Sequence, residues 1–121
     1  MLSNQNSCYI RVLFLENIRG DKFMTPEEER EQIEYYTCCR IIFDHYGIET
    51  QKLQFIQELS ELIQAITKDD ADNFAEELAE VQVMIDQFII SNPALDEKYQ
   101  QIQLEKVRRQ IKRIKEEKEN G

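Results

Sequence analysis

Two pairs of glutamates, each spaced i, i+3, form the most chemically suggestive pattern in this chain: Glu58 and Glu61 in QELSEL, then Glu77 and Glu80 in EELAEV. On a helix, that spacing projects both members of a pair from one side, about one turn apart. Four carboxylates converging between two helices repel one another and lose solvation, so a positive charge must sit among them. Hard divalent cations meet that need. Mg²⁺ binds carboxylate oxygens and keeps waters that a substrate phosphate can displace. A Mg²⁺ site at Glu58, Glu61, Glu77 and Glu80 is therefore expected, with Mn²⁺ as a substitute. A di-iron carboxylate bundle would need Glu-x-x-His motifs, and the single histidine, His45, supplies none.

The elements that must carry these residues read as helices. A first helix is predicted over residues 26 to 46. Thr25 serves as its N-cap, Pro26 takes the first position, Glu28 completes a capping box and Gly47 is the stop. Ile33, Tyr36, Cys39, Ile41, Ile42, Phe43 and Tyr46 cover most of its circumference, which places it centrally or at a subunit interface. A second helix, capped by Thr50, runs to about residue 67. At about 100° per residue, Phe55, Ile56, Leu59, Leu62, Ile63 and Ile66 share one arc. Glu58 borders that arc, and Glu61, Gln54 and Gln51 continue the same edge.

After the polar break KDDAD, a third helix is predicted over residues 73 to 90. Phe74, Leu78, Val81, Met84, Ile85 and Phe88 line its apolar face. Glu77 falls within that face and Glu80 on its edge, whereas Glu76 and Asp86 point elsewhere. Ser91 or Asn92, followed by Pro93, ends this helix and caps a last one reaching to near residue 118. There Leu95, Tyr99 and Ile102 make one stripe, prolonged by Lys106, Arg109 and Arg113. Leu104, Val107, Ile111 and Ile114 make another. The basic trio either is a solvated face or forms a cationic wall for phosphate oxygens. Gln51 and Gln54 are placed to read a base or ribose, although glutamine is also common on solvated surfaces.

At 121 residues, with 41% apolar and 32% charged side chains, the chain suits one helix-rich globular domain. Its net charge of -9 disfavours the electrostatic grip that basic proteins exert on nucleic acid. Cys8, Cys38 and Cys39 make a poor disulfide framework and no zinc motif. No apolar run approaches the roughly 18 residues of a membrane span. A reduced, cytoplasmic protein is expected. Residues 1 to 24 form an arm in which CYIRVLFL is equally a strand or a helix start. A helical domain follows over residues 25 to 118, and 119 to 121 form a frayed tail.

With the two motifs placed, the chain resembles a known family. An ExxE pair followed after a gap by ExxD is the signature of the all-α nucleoside triphosphate pyrophosphohydrolases, which include the MazG-like proteins and the dimeric dUTPases. Here 15 residues separate Glu58-x-x-Glu61 from Glu77-x-x-Glu80. The stretches YGIETQKLQFIQELSELIQAI and NFAEELAEVQVMIDQFI are similar to the two motif helices, and LEKVRRQIKRI to the basic final helix. The likeness spans roughly residues 30 to 114.

It implies an all-α, four-helix, oligomeric bundle, a homodimer or tetramer. It also implies Mg²⁺ at the four glutamates and cleavage of a nucleoside triphosphate into monophosphate and pyrophosphate. Lys106 and Arg109 match cations at the phosphate end of the pocket, with Arg113 on the same face. Glu61 is then the glutamate that orients or deprotonates water. Two positions depart from the pattern: Gln57 stands where the family has an additional glutamate, and Glu80 where it has aspartate. They motivate a rival reading, a catalytically silent MazG-like protein acting as a dimeric binding or interaction module.

Overall fold

The computed structural model describes residues 24–121, and its described part is four helices with no strand: α1 Pro26–Tyr46, α2 Ile48–Ile66, α3 Ala71–Ile90 and α4 Pro93–Asn120. The arm expected over residues 1 to 24, Cys8 included, lies outside the described residues except for its last position. No described helix is long and apolar enough to cross a membrane.

Local chemistry sets the helix ends. Thr25 accepts from the backbone N–H of Glu28 at 3.1 Å, and Glu28 accepts from the N–H of Thr25 at 2.9 Å. These reciprocal bonds satisfy donors that the first turn of α1 would otherwise leave bare. Asp70 caps α3 through Asn73 at 3.1 Å, and Asn92 caps α4 through Leu95 at 3.2 Å. The expected cap at Thr50 is not formed. Gly47 at φ 85° ends α1, donating to the Phe43 carbonyl at 2.9 Å, and α2 begins at the next residue. Only glycine enters that region without cost, so a single residue makes the turn and Thr50 falls inside α2. At the other end, α4 runs to Asn120, two residues beyond the expected boundary.

The third helix is the hub, touching α1, α2 and α4. It pairs most extensively with α2, in antiparallel register: Gln51 meets Gln87 near one end, and the two glutamate pairs meet near the other. Among the described residues, Cys39, Ala65, Val81, Met84, Ile89 and Ile90 are the buried apolar ones. Edge-to-face contact of Phe43 with Phe88, at 5.2 Å between centroids, and tilted contact of Phe55 with Phe88, at 5.6 Å, join α1 and α2 to the hub. Leu95 and Tyr99 at the start of α4 line an apolar pocket together with Phe55, Leu59 and Ile85.

The first helix is not enclosed by the other described helices, which leaves open the second of its two expected placements, a subunit interface. Only Cys39 is buried on it, while Ile33, Ile41, Ile42 and Tyr46 are exposed. Large apolar side chains are also exposed on α2 and α4, Ile63 at 66% and Ile111 at 52% among them. Beyond residue 101, every residue of α4 is exposed.

A polar knot ties α1 to α3. The Tyr35 hydroxyl donates to Asp86 Oδ2 at 2.6 Å, and Gln82 Nε2 donates to Oδ1 at 3.1 Å. Burial, with the Asp86 carboxylate beside it, holds the Tyr35 phenol well above its ordinary range. Burial likewise pushes the neighbouring Cys39 thiol up to about 11. Removing a buried acceptor leaves both donors short of a partner, so Asp86→Ala is expected to cost about 2 to 4 kcal/mol. An unchanged urea midpoint would show that the knot does not hold α1 in place.

Candidate metal centre

The antiparallel register of α2 and α3 brings the four glutamates together. Glu58 and Glu61 stand one turn apart on α2, Glu77 and Glu80 one turn apart on α3, and each offers a carboxylate oxygen within 4.8 Å of the others. All four are half-buried. Two neighbouring amides hold individual oxygens: Gln54 Nε2 donates to Glu58 Oε1 at 2.8 Å, and Gln57 Nε2 to Glu61 Oε1 at 3.4 Å. Both are i, i+4 pairs on α2, so the helix that carries the ligands also orients them.

The remaining oxygens are in a different position. Glu58 Oε2 and Glu77 Oε2 are out of contact with solvent and have no hydrogen-bond partner. A buried carboxylate oxygen in that state has lost its hydration without replacement. The electrostatics agree. A hydrogen bond with Glu80 and loss of solvation raise the Glu58 carboxyl above its usual range, against the lowering effect of Gln54 and Glu61. Loss of solvation, followed by repulsion from Glu61, Glu58 and Glu76, raises Glu77. Among the described residues no cation meets the cluster: the ion pairs formed are Arg40 with Asp44 at 3.5 Å and Lys52 with Glu49 at 3.7 Å. All-oxygen donors, converging, anionic and partly unpartnered, fit a hard divalent cation.

A cleft of about 520 Å³ opens from this cluster, with Glu58 and Glu80 at its edge. Its apolar wall includes Ile42, Tyr46 and Val83, and its polar lining includes Gln51, Gln54 and Gln87. That volume lies in the range of small-molecule sites. Gln54 therefore stands at the boundary of cleft and carboxylates, its amide engaged with Glu58. Gln51 is not the surface glutamine that composition suggested. It is buried and hydrogen-bonded to Gln87 at 2.7 Å.

Lys106, Arg109 and Arg113 are exposed on the distal part of α4, and none of them forms an ion pair with a glutamate of the cluster. Gln87 was absent from the sequence-based candidates. Its signal was an amide that, with Asp86, interrupts the apolar stretch IDQFII, but its partner becomes visible only once the register of α2 against α3 is known. Asp86, set aside as a ligand, is indeed separate from the cluster and serves the α1 contact instead.

No family model, curated protein or solved structure matches the chain.

Proposed function

We propose that this chain is a Mg²⁺-dependent nucleoside triphosphate pyrophosphohydrolase of MazG-like type, yielding a nucleoside monophosphate and pyrophosphate. One observation carries the reading: four carboxylates from two antiparallel helices converge within 4.8 Å, two of their oxygens buried without a partner, at the mouth of a nucleoside-sized cleft. Glu58, Glu61, Glu77 and Glu80 would hold Mg²⁺, or Mn²⁺ in its place. Bound there, such an ion would supply charge neutralisation for the triphosphate and a more acidic water. The chain's own groups do the rest.

Gln54 fixes the carboxylate plane of Glu58. Glu61, whose amide contact is the longer and weaker of the two, takes the proton of the attacking water. Water adds across the anhydride between the α and β phosphates, that bond breaks, and pyrophosphate leaves with the released electron pair.

The leaving group carries charge that cations must meet. Lys106, Arg109 and Arg113 supply it from a second copy in this reading. The exposed apolar residues of α1, α2 and α4 favour a homodimer, or a tetramer built from dimers. No nucleic acid and no membrane enters the scheme.

Product identity tests the reaction. Chromatography of a nucleoside triphosphate digest should show monophosphate and pyrophosphate. Diphosphate with orthophosphate would overturn the assignment, and an intact substrate would favour the silent binding module that Gln57 and Glu80 suggest.

A further inference from the structure

The floor of the cleft is made by two amides whose orientation is locked. Gln51 is 4% exposed and Gln87 2% exposed, yet both line the cavity. Which end of a glutamine amide is nitrogen follows from its hydrogen-bond network, and here the network has an anchor. Gln87 Nε2 donates to Met84 Sδ at 3.5 Å, and Gln51 Nε2 donates to Gln87 Oε1 at 2.7 Å. A thioether accepts hydrogen bonds and never donates one. The sulfur therefore sets the nitrogen of Gln87 towards itself, which turns Oε1 of Gln87 to Gln51. That in turn commits a nitrogen of Gln51 to the pair and leaves Gln51 Oε1 as a spare acceptor.

Each amide nitrogen carries two hydrogens, so Gln51 Nε2 keeps a donor beyond its bond to Gln87. The Gln51 amide, oriented by Gln87, thus offers one acceptor and one donor on a single group, in a cleft whose lining includes Ile42 and Val83. Phosphate oxygens only accept, so Gln51 Oε1 has nothing to offer them. The hydrogen-bonding edge of a nucleobase is the complement: an N–H next to a carbonyl or an unprotonated ring nitrogen, on a flat apolar ring.

We infer that Gln51 and Gln87, held in register by Met84, are the base-reading pair of this site. They select nucleoside triphosphates whose base keeps a free N–H on its pairing edge, and they exclude nucleotides alkylated there. The inference rests on the pyrophosphohydrolase reading, and it assigns that activity to intact bases rather than to edge-alkylated ones.

The experiment is competitive binding with Mg²⁺ on the full chain. The four ribonucleoside triphosphates are compared with N3-methyluridine, N1,N2,N2-trimethylguanosine, N4,N4-dimethylcytidine and N6,N6-dimethyladenosine triphosphates, and with inorganic tripolyphosphate. Edge methylation should weaken binding on the order of 100-fold for every base accepted, because it leaves a buried acceptor unpaired. Gln51→Leu should reduce that discrimination to within about threefold. Met84→Leu keeps apolar volume while removing the anchoring sulfur, and should reduce discrimination even if Gln51→Leu fails to fold. Methylated and parent nucleotides binding alike would overturn the inference. So would tripolyphosphate binding as tightly as the nucleotides, which would leave the hydrolase reading standing. Absence of binding by every triphosphate would remove both.

Discussion

Replacing Glu77 by glutamine should lower Mg²⁺-dependent turnover by roughly 1,000-fold, since it removes one of the four carboxylates that would hold the metal. The same substitution should raise the melting temperature of the metal-free protein. Both effects have one cause. Glu77 Oε2 is buried without a partner, and its carboxyl is raised by lost solvation and by repulsion from Glu61 and Glu58. A neutral amide of nearly the same shape removes the repulsion and, with it, a ligand. Gain of stability with loss of activity is the usual signature of a residue kept for function. A structural glutamate would behave in the opposite way, costing stability and leaving turnover alone. Differential scanning calorimetry beside a turnover assay separates the cases, and retained hydrolysis in E77Q would remove Glu77 from the mechanism.

A second large effect concerns pH and metal together. The folded-state carboxyls of Glu58 and Glu77 are raised, by the hydrogen bond with Glu80 and lost solvation in the first case and by lost solvation in the second. The native chain therefore binds protons at these groups more readily than the unfolded chain does. Their contribution to stability is fully present below the unfolded-state value and is lost as pH rises through the raised folded-state value. In chelator, then, the wild type should gain stability relative to E77Q as pH falls from neutrality into the interval just above the ordinary carboxylate range.

Mg²⁺ competes with those protons. At neutral pH and a concentration about 100 times its dissociation constant, it should stabilise the wild type by about 2.7 kcal/mol, or roughly 10 °C. The gain should vanish in acid and in E77Q. Melting curves across pH, with Mg²⁺ and with chelator, check every arm. A wild type that is indifferent to Mg²⁺ at neutral pH would mean the cluster is only a solvated acidic surface.

Much of the fold was legible because local chemistry governs it. The Thr25–Glu28 capping box and Asn92 before Pro93 satisfy backbone donors within a few residues; KDDAD offered several caps, and Asp70 is the one formed, so α3 begins at Ala71, two residues ahead of the expected start. Gly47 was also readable as a stop. That it ends one helix and starts the next depends on φ 85°, a backbone fact that composition does not carry.

The convergence of the glutamates was legible from spacing alone, since i, i+3 pairs on consecutive helices need only an antiparallel hairpin to meet. What eluded the sequence depended on register and on burial. Gln51 and Gln87 are 36 residues apart, and neither looks buried until the helices are laid together. Asp86 was correctly kept out of the cluster, but its bond to Tyr35 spans 51 residues and required the packing of α1 against α3. The basic trio depends on contacts of the same kind. A stripe on α4 fixes which side of that helix is cationic but not what the side faces, and Lys106, Arg109 and Arg113 are exposed.

The most direct test of the central claim is pyrophosphate release from a panel of nucleoside triphosphates, with Mg²⁺ and with chelator. Release that requires the metal, with nucleoside monophosphate as the companion product, is the expected result. Substrates left intact in Mg²⁺ and in Mn²⁺ alike would contradict the account and leave Glu58, Glu61, Glu77 and Glu80 as the binding surface of a silent helical module.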